Sequence, residues 1–287
     1  MKPVIKFICL WILTWLEVAN GQSVDIVCSY IFIGSQYMCS FYGLEVPNNE
    51  QYHVTISGDH MHGFSDYNVQ RLQVWSSNVS FVLPQFFTKF PNVEVFDIRS
   101  SGLERIQSNA FMNAGNLRIV SMIDDLEFIA IYPNAFLGAT KLETISLNDN
   151  NIQFIHESAF NGLTSLKFLY LQNNKISYLP TNVFSSLISL DTLDLSRNFL
   201  TTLDERLLSN NFRLFTLSIE SNQISSIGRN FFSNLFELLF LNLSGNECVN
   251  DSWVVDVASS NEIRQSLFPC YNYPKTSFHG YNHEIYS

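Results

Sequence analysis

The sequence predicts one elongated α/β domain, a solenoid in which short coils stack around a continuous apolar core. Three observations lead to this fold class: an apolar pattern with a period of 24 residues, a series of phenylalanines in phase with it, and two pairs of cysteines that flank the repeats. The 287 residues would allow two domains by length alone. The repeat favours a single domain, because one coil buries its apolar face only against its neighbours.

The repeat is most regular between Leu142 and Cys248, where its pattern is L-x-x-L-x-L-x-x-N-x-I-x-x-I. The middle of each copy alternates apolar and polar residues, as a short half-buried strand does. The pattern therefore predicts parallel strands whose alternate side chains point out of the core. Successive copies begin 24 residues apart, at Leu142, Leu166, Leu190, Leu214 and, in part, Leu238.

An asparagine follows each of these strands, where the chain turns inward. A buried amide both donates and accepts hydrogen bonds, so it can satisfy backbone groups that a buried turn would leave unpaired. Stacking should align these amides into a ladder, formed by Asn150, Asn174, Asn198, Asn222 and Asn246.

The phenylalanine series falls at one phase of the repeat, on the side away from the strands. We expect it to fill the convex side of the core and to be structural. Its members are Phe87, Phe111, Phe136, Phe160, Phe184, Leu208 and Phe232.

These motifs resemble the leucine-rich-repeat family, in the 24-residue type of its secreted, extracellular members. The resemblance extends over most of the mature chain. It implies a right-handed horseshoe with a parallel concave sheet, and a role in extracellular recognition during innate immunity, adhesion, signalling or development. Members bind proteins, and some bind glycolipids or microbial products, but fold alone does not determine function.

Residues 1–21 have the features of a secretory signal peptide, with Lys2 and Lys6 at its start and cleavage before Gln22. Its apolar run is too short for a membrane span, and no second run follows, so we expect a secreted protein with no membrane span. Removing Lys2, Lys6 and Glu17 reduces the 16 basic and 26 acidic residues to 14 and 25, a net charge of −11. That charge argues against nucleic acid as a partner.

Residues 22–50 and 248–272 are predicted to cap the two ends of the solenoid, which would otherwise expose the core. Cleavage of the signal peptide would remove Cys9, one of the five cysteines, and an even number of cysteines in a secreted chain indicates disulfides. Of the three pairings, we expect Cys28–Cys39 and Cys248–Cys270, one within each cap. The alternative, a four-cysteine metal site, lacks a close C-x-x-C pair.

Local patterns within the caps predict three further features. Gly34-Ser35 marks the turn of a hairpin in the N-terminal cap. Residues 253–258 suggest a short helix over the last coil, and residues 273–287 a flexible tail.

Residues 51–247 are assigned to about nine coils, of which the first is degenerate. In that first coil the matches to the strand and turn positions are Val54, Ile56, Asp59, Met61 and Phe64.

The next three copies depart from the pattern at the asparagine position. Ser77 and Ser101 stand there in the copies from Val69 and Val93, and a hydroxyl can still form hydrogen bonds. The copy from Leu117 has Asp125 at this position and carries one extra residue before Phe128 and Ile131, which predicts a bulge.

Sequence motifs for catalysis, metals and cofactors are missing, so we predict neither an enzyme nor a cofactor. His60 and His62 could offer two ligands to a metal, but solvated turn histidines are the simpler interpretation. The pair Asp124-Asp125 is interpreted in the same way, as turn chemistry. Three glycosylation sequons lie at Asn78, Asn242 and Asn250, and we expect Asn242 to be occupied least because it should lie on a concave strand.

The outward strand positions are the candidate binding site. Eight such strands, about 4.8 Å apart, span about 35 Å, enough for a standard protein interface. The site combines aromatic anchors, an apolar centre and a charged rim, which suit hot spots and specificity. These residues are Trp75, Phe168, Tyr170 and Phe240; Ile119 and Ile123; and Asp97, Arg99, Asp194 and Glu220.

Two functions fit these observations. The first is a secreted module that binds an extracellular protein through its concave face, with a glycan or lipid as further candidate ligands and homodimerisation as another use of that face. The second is a non-catalytic subunit or inhibitor of a secreted enzyme.

Overall fold

A computed structural model of the protein describes residues 23–46, 53–255 and 260–271. The predicted signal peptide (1–21), the new terminus Gln22 and the predicted tail (273–287) lie outside the described residues. Most of the elements in these ranges are strands, and few are helices.

Most of the strands belong to the successive coils, which contribute one main-sheet strand each and, in most coils, a second strand of two residues. In chain order they are β1 (Ser23–Val27), β2 (Ser29–Ile33), β3 (Gln36–Tyr42), β4 (Glu45–Val46), β5 (His53–Ser57), β6 (Arg71–Trp75), β7 (Asn78–Val79), β8 (Val95–Arg99), β9 (Arg105–Ile106), β10 (Ile119–Ile123), β11 (Ala130–Ile131), β12 (Thr144–Ser146), β13 (Phe154–Ile155), β14 (Phe168–Tyr170), β15 (Thr192–Asp194), β16 (Thr202–Leu203), β17 (Thr216–Ser218), β18 (Ser226–Ile227), β19 (Phe240–Asn242) and β20 (Ser252–Val254). The helices are α1 (Gln85–Lys89) and α2 (Ser260–Tyr271), with a 3₁₀ turn at Asp66–Asn68.

The main sheet has eleven strands in the order β2-β3-β6-β8-β10-β12-β14-β15-β17-β19-β20. Neighbouring strands are parallel except at the two ends, where β2 and β20 run antiparallel to the strands beside them. The register is constant: Leu169 pairs with Ile145 on one side and Leu193 on the other. This register keeps every inward side chain in the core, since a slip by one residue would turn it outward. The predicted parallel-sheet solenoid is therefore confirmed.

A column of phenylalanine rings fills the convex side of the core, as predicted. The Phe111 and Phe136 ring centroids are 5.1 Å apart, those of Phe136 and Phe160 5.8 Å, and those of Phe160 and Phe184 6.2 Å. Phe87 and Leu208 extend the column and are also buried. The prediction was wrong at Phe232, which is half-buried, because Phe231 is the buried residue of that coil.

The predicted asparagine ladder connects each coil to the one before it. The Asn174 amide nitrogen donates to the carbonyl oxygens of Leu147 (2.8 Å) and Leu171 (3.1 Å), and its oxygen accepts the Ile152 N–H (3.0 Å). One amide thus satisfies three backbone groups in two coils. The same contacts recur at Asn198, Asn222 and Asn246. Asn150 also donates to two carbonyls, but its oxygen accepts the Asp125 N–H.

The first coils use other side chains at the same position. The Ser77 hydroxyl donates to the Trp75 carbonyl and accepts the Leu44 N–H, and the Ser101 hydroxyl donates to the carbonyls of Arg99 and Val74. Asp125 accepts the Ser101 N–H at 2.6 Å. The extra residue predicted before Ile131 is accommodated in the turn after Asp125, because Ile131 still pairs in register with Ile155 on β13.

The N-terminal end corrects one assignment. The hairpin predicted around Gly34-Ser35 is formed by β2 and β3, and the Cys28–Cys39 disulfide is present. However, Val54 and Ile56 do not lie on a concave strand: β5 pairs with β1 in a separate two-stranded sheet. The concave position beside β6 is occupied by β3, which pairs with β6 over five residues. Its apolar side chains Met38 and Phe41 are buried in the core.

The C-terminal end corrects a second assignment. The helix predicted over residues 253–258 is wrong at its start, where Ser252–Val254 forms β20 on the open edge of β19; the rest of that segment lies outside the described residues. Tryptophan and valine favour strands, and an unpaired edge favours pairing. The covering helix lies later, at α2, and the Cys248–Cys270 disulfide attaches it to the last coil.

Candidate binding surfaces

The outward side chains of the concave sheet align in three rows that cross the strands. The first row runs from Arg71 through Ile119 and Phe168 to Phe240, and the last joins Trp75 to Arg99 and Ile123. Strict register creates these rows, since equivalent residues of successive coils are direct neighbours. The sequence-selected residues therefore share one surface.

The aromatic and apolar residues of this surface are accessible. Trp75, Ile119 and Phe240 are 39%, 39% and 44% exposed, and Phe168, Tyr170 and Ile123 are partly exposed. Their side chains contact solvent although the alternate residues of the same strands are fully buried.

The charged residues differ from one another in availability. Asp97 is only 5% exposed, and its carboxylate accepts a hydrogen bond from Arg99 at 3.0 Å. Asp194 accepts from the Ser196 hydroxyl, and Glu220 from the Asn242 amide. Arg99 is thus the exposed member of its pair, whereas the Asp97 carboxylate orients it.

The sequence pattern did not identify three residues that lie on this concave surface. Tyr42 is 77% exposed and pairs with Trp75 at the cap end, but its strand belongs to the hairpin and not to the repeat. At the other end, Phe215 contacts Phe240 edge to face at 5.5 Å, and Val254 of β20 pairs with Phe240. Phe215 directly precedes its strand, outside the alternating pattern, so no periodic signal marked it.

A polar chain lies in the N-terminal region, where His60 was interpreted as a turn residue. The His60 ring contacts the Tyr37 hydroxyl (3.1 Å) and the Asp66 carboxylate (2.9 Å), and Lys89 contacts the other Asp66 oxygen (2.9 Å). Partial burial tends to raise the pKa of Asp66, but the hydrogen bonds from Lys89 and His60 outweigh it and lower that pKa.

The side chains of Tyr37, His60 and Asp66 contact one another in the order of the groups of a catalytic triad, but the Tyr37 hydroxyl is inaccessible. Tyr37 is 1% exposed and also accepts the Met61 N–H, so no substrate reaches its oxygen. We therefore assign Tyr37, His60 and Asp66 to the structure of the cap. His62 is exposed and takes no part in these contacts. The described part of the molecule contains no group of three or more metal-ligating side chains.

The three sequons differ in the freedom of their amide nitrogens. The Asn242 nitrogen donates to Glu220 on the concave sheet, and the Asn78 nitrogen donates to Glu45 at 3.2 Å. Asn250 is exposed and uses only its oxygen, which accepts the Gly245 N–H.

The parallel sheet, the amide ladder and the aromatic column define a solenoid repeat protein. Two family models match this chain. The first, a leucine rich repeat, matches residues 122–176 and 169–224, and the second, a BspA type leucine rich repeat region in six copies, matches residues 17–132. The chain belongs to the leucine-rich-repeat family.

Among solved structures, the chain is similar to one described as the crystal structure of a TLR13–ssRNA13 complex. The TM-score is 0.56 at 22% sequence identity over 62% of this chain, and the chain spans 25% of the length of that one. This likeness concerns the fold. No curated protein sequence matches. Neither helix in the described ranges is long and apolar enough to cross a bilayer.

Proposed function

We propose that this protein is a secreted, non-catalytic recognition module that binds an extracellular protein through its concave face. The observation that carries the proposal is the set of accessible aromatic side chains on that face. Trp75 lies near one end, Phe168 and Tyr170 lie in the middle, and Phe240 lies at the other end. Core packing does not account for aromatics at outward positions, and aromatic residues are enriched at the centres of interfaces.

The surroundings of these aromatics also suit a protein partner. In the middle row Tyr170 lies between Ser146 and Asp194, with serines at the next positions on both sides, Ser121 and Ser218. These small side chains leave Tyr170 the largest group of the row over five strands. The acidic excess of the chain disfavours RNA, the ligand named for the TLR13 complex, since RNA binding is driven largely by phosphate neutralisation.

The test is affinity capture with a matched pair of variants. The mature chain, the variant W75A/F168A/Y170A/F240A, and the control Y178A/I188A/F212A/F236A are immobilised and exposed to extracellular fluid and cell-surface extract. The control removes four exposed apolar side chains outside the concave sheet. We expect one protein held by the native chain and by the control, and lost by the concave variant.

Each variant is also checked for folding by its thermal unfolding, since a partner lost through unfolding says nothing about the surface. A partner held equally by both variants contradicts the concave site. A secreted enzyme as the captured partner would assign the protein a subunit or inhibitor role.

A further inference from the structure

A groove runs along the edge of the concave sheet where its strands end, and its volume is about 610 Å³. Two rows of side chains border it. One row consists of the residues that directly precede the ladder positions, and the other consists of the residues that directly follow them. The members that the argument uses are Asp124, Asp149 and Arg197 in the first row, and Leu126, Lys175 and Phe199 in the second.

The backbone of the first row is held rigidly. Asp149, Asn173 and Arg197 all have left-handed φ values, 59°, 57° and 54°. Each donates its N–H to the next coil, at 3.1, 2.9 and 2.8 Å. A left-handed conformation at non-glycine residues persists only where neighbouring contacts enforce it. The side chains of this row therefore project from fixed points.

The charges of the groove are separated by sign. The first coils of the groove contribute Asp124 and Asp149, and the later ones contribute Lys175 and Arg197. The Asp149 carboxylate already accepts from the amides of Asn148 and Asn173. By contrast, the side chains of Asp124, Lys175 and Arg197 are exposed and have no ion pair or hydrogen bond with any described residue. Three uncompensated charges, acidic at one end and basic at the other, are thus available to a ligand.

The distance between these charges matches an extended peptide. Asp124 lies two coils before Lys175 and three before Arg197, or about 10 and 14 Å at roughly 4.8 Å per coil. An extended chain rises about 3.3 Å per residue and its side chains alternate between two faces, so side chains four residues apart share a face and lie about 13 Å apart. The exposed apolar side chains of Leu126 and Phe199 lie beside the charges and offer contacts to residues between them.

We propose that this groove binds an extended segment of a protein partner, in which a basic and an acidic side chain stand four residues apart. The basic side chain pairs with Asp124, and the acidic one pairs with Lys175 and Arg197. The surface is distinct from the concave aromatics of the proposed function, and a variant of either surface leaves the other intact.

The test uses synthetic, end-capped octapeptides and the full mature chain at low salt, with binding followed by NMR chemical shifts. One peptide carries Lys and Glu four residues apart with a Leu midway between them, and its controls replace Lys, Glu or both by Gln. We expect the charged peptide to bind roughly tenfold more tightly than the doubly neutral one, with the affinity falling as salt rises. Equal binding of all four peptides, or no saturable binding, would overturn the proposal.

Variants of the chain locate the site. K175E/R197E should weaken the charged peptide roughly tenfold, whereas the control R213E/R229E, with the same change in net charge at exposed sites outside the groove, should bind as the native chain does. The triple variant D124K/K175E/R197E reverses the order of charges, so it should restore binding of the same peptide in the opposite orientation. Equal weakening in the control, or no restoration in the triple variant, contradicts the groove. The variant W75A/F168A/Y170A/F240A should bind the peptide normally even if its protein partner is lost.

Discussion

The regular coils from Leu142 onward and the earlier coils from Val69 use different side chains to satisfy the buried backbone groups after each strand. In the regular coils an amide donates to two carbonyls and accepts one N–H, as Asn198 does with Leu171, Leu195 and Ile176. In the earlier coils Ser101 donates one hydroxyl hydrogen towards two carbonyls. Asp125 accepts N–H groups but leaves its second oxygen buried without a partner. The coil geometry therefore does not require asparagine, whereas the strength of the connection between coils depends on it.

The largest difference between the two regions should be seen on truncation of the ladder. Asn198→Ala leaves two buried carbonyls and one buried N–H unpaired, and we expect it to lower the free energy of unfolding by about 3 kcal/mol. Urea unfolding followed by circular dichroism measures the change. A loss below that of the serine variant described next would mean that the ladder amides contribute little to stability.

Ser101→Ala should cost less, about 1 kcal/mol, because a single hydroxyl is removed and the carbonyls of Val74 and Arg99 lose a shared donor. The same unfolding experiment measures it. Equal losses in the two variants would remove the distinction between the regions. The side-chain change is small in volume, so the loss reports hydrogen bonding more than packing.

Asp125→Asn should make an early coil resemble a regular one. Burial raises the pKa of Asp125 above its ordinary value of 3.8, against the lowering effect of backbone N–H groups from Ser101 and Leu103. A raised pKa in the folded state stabilises the protein below the ordinary pKa, and this stability is lost as pH rises through the raised one. An amide restores a neutral donor, so the variant should be more stable at pH 7 by about 1 kcal/mol.

The pH dependence distinguishes this cause from a general improvement in packing. Unfolding of the native chain and of D125N is measured from acid to neutral pH. The gain from the substitution should grow as pH rises and vanish at acid pH. A gain independent of pH would show that the carboxyl charge is not its source.

Sequence periodicity predicted the centre of the molecule well and its ends poorly. The positions of Asn174, Phe136 and Leu169 follow from a pattern that each coil repeats, so local sequence is enough. The pairing of β5 with β1, and of β20 with β19, joins segments whose partners no repeat indicates. The sequence located the concave aromatics through strand alternation, but it could not foresee that Asp97 is buried or that Tyr42 lies beside Trp75.

The two reversed strands at the ends of the main sheet determine how such a chain can lengthen. Because β2 and β20 run opposite to their neighbours, neither presents the parallel edge that a further coil would join. Tandem duplication can therefore extend the main sheet only from within, between β3 and β19. Each internal duplication of 24 residues would lengthen the concave face by about 4.8 Å and leave both ends unchanged. The ends thus constrain the evolution of this solenoid, while its interior is free to change in length.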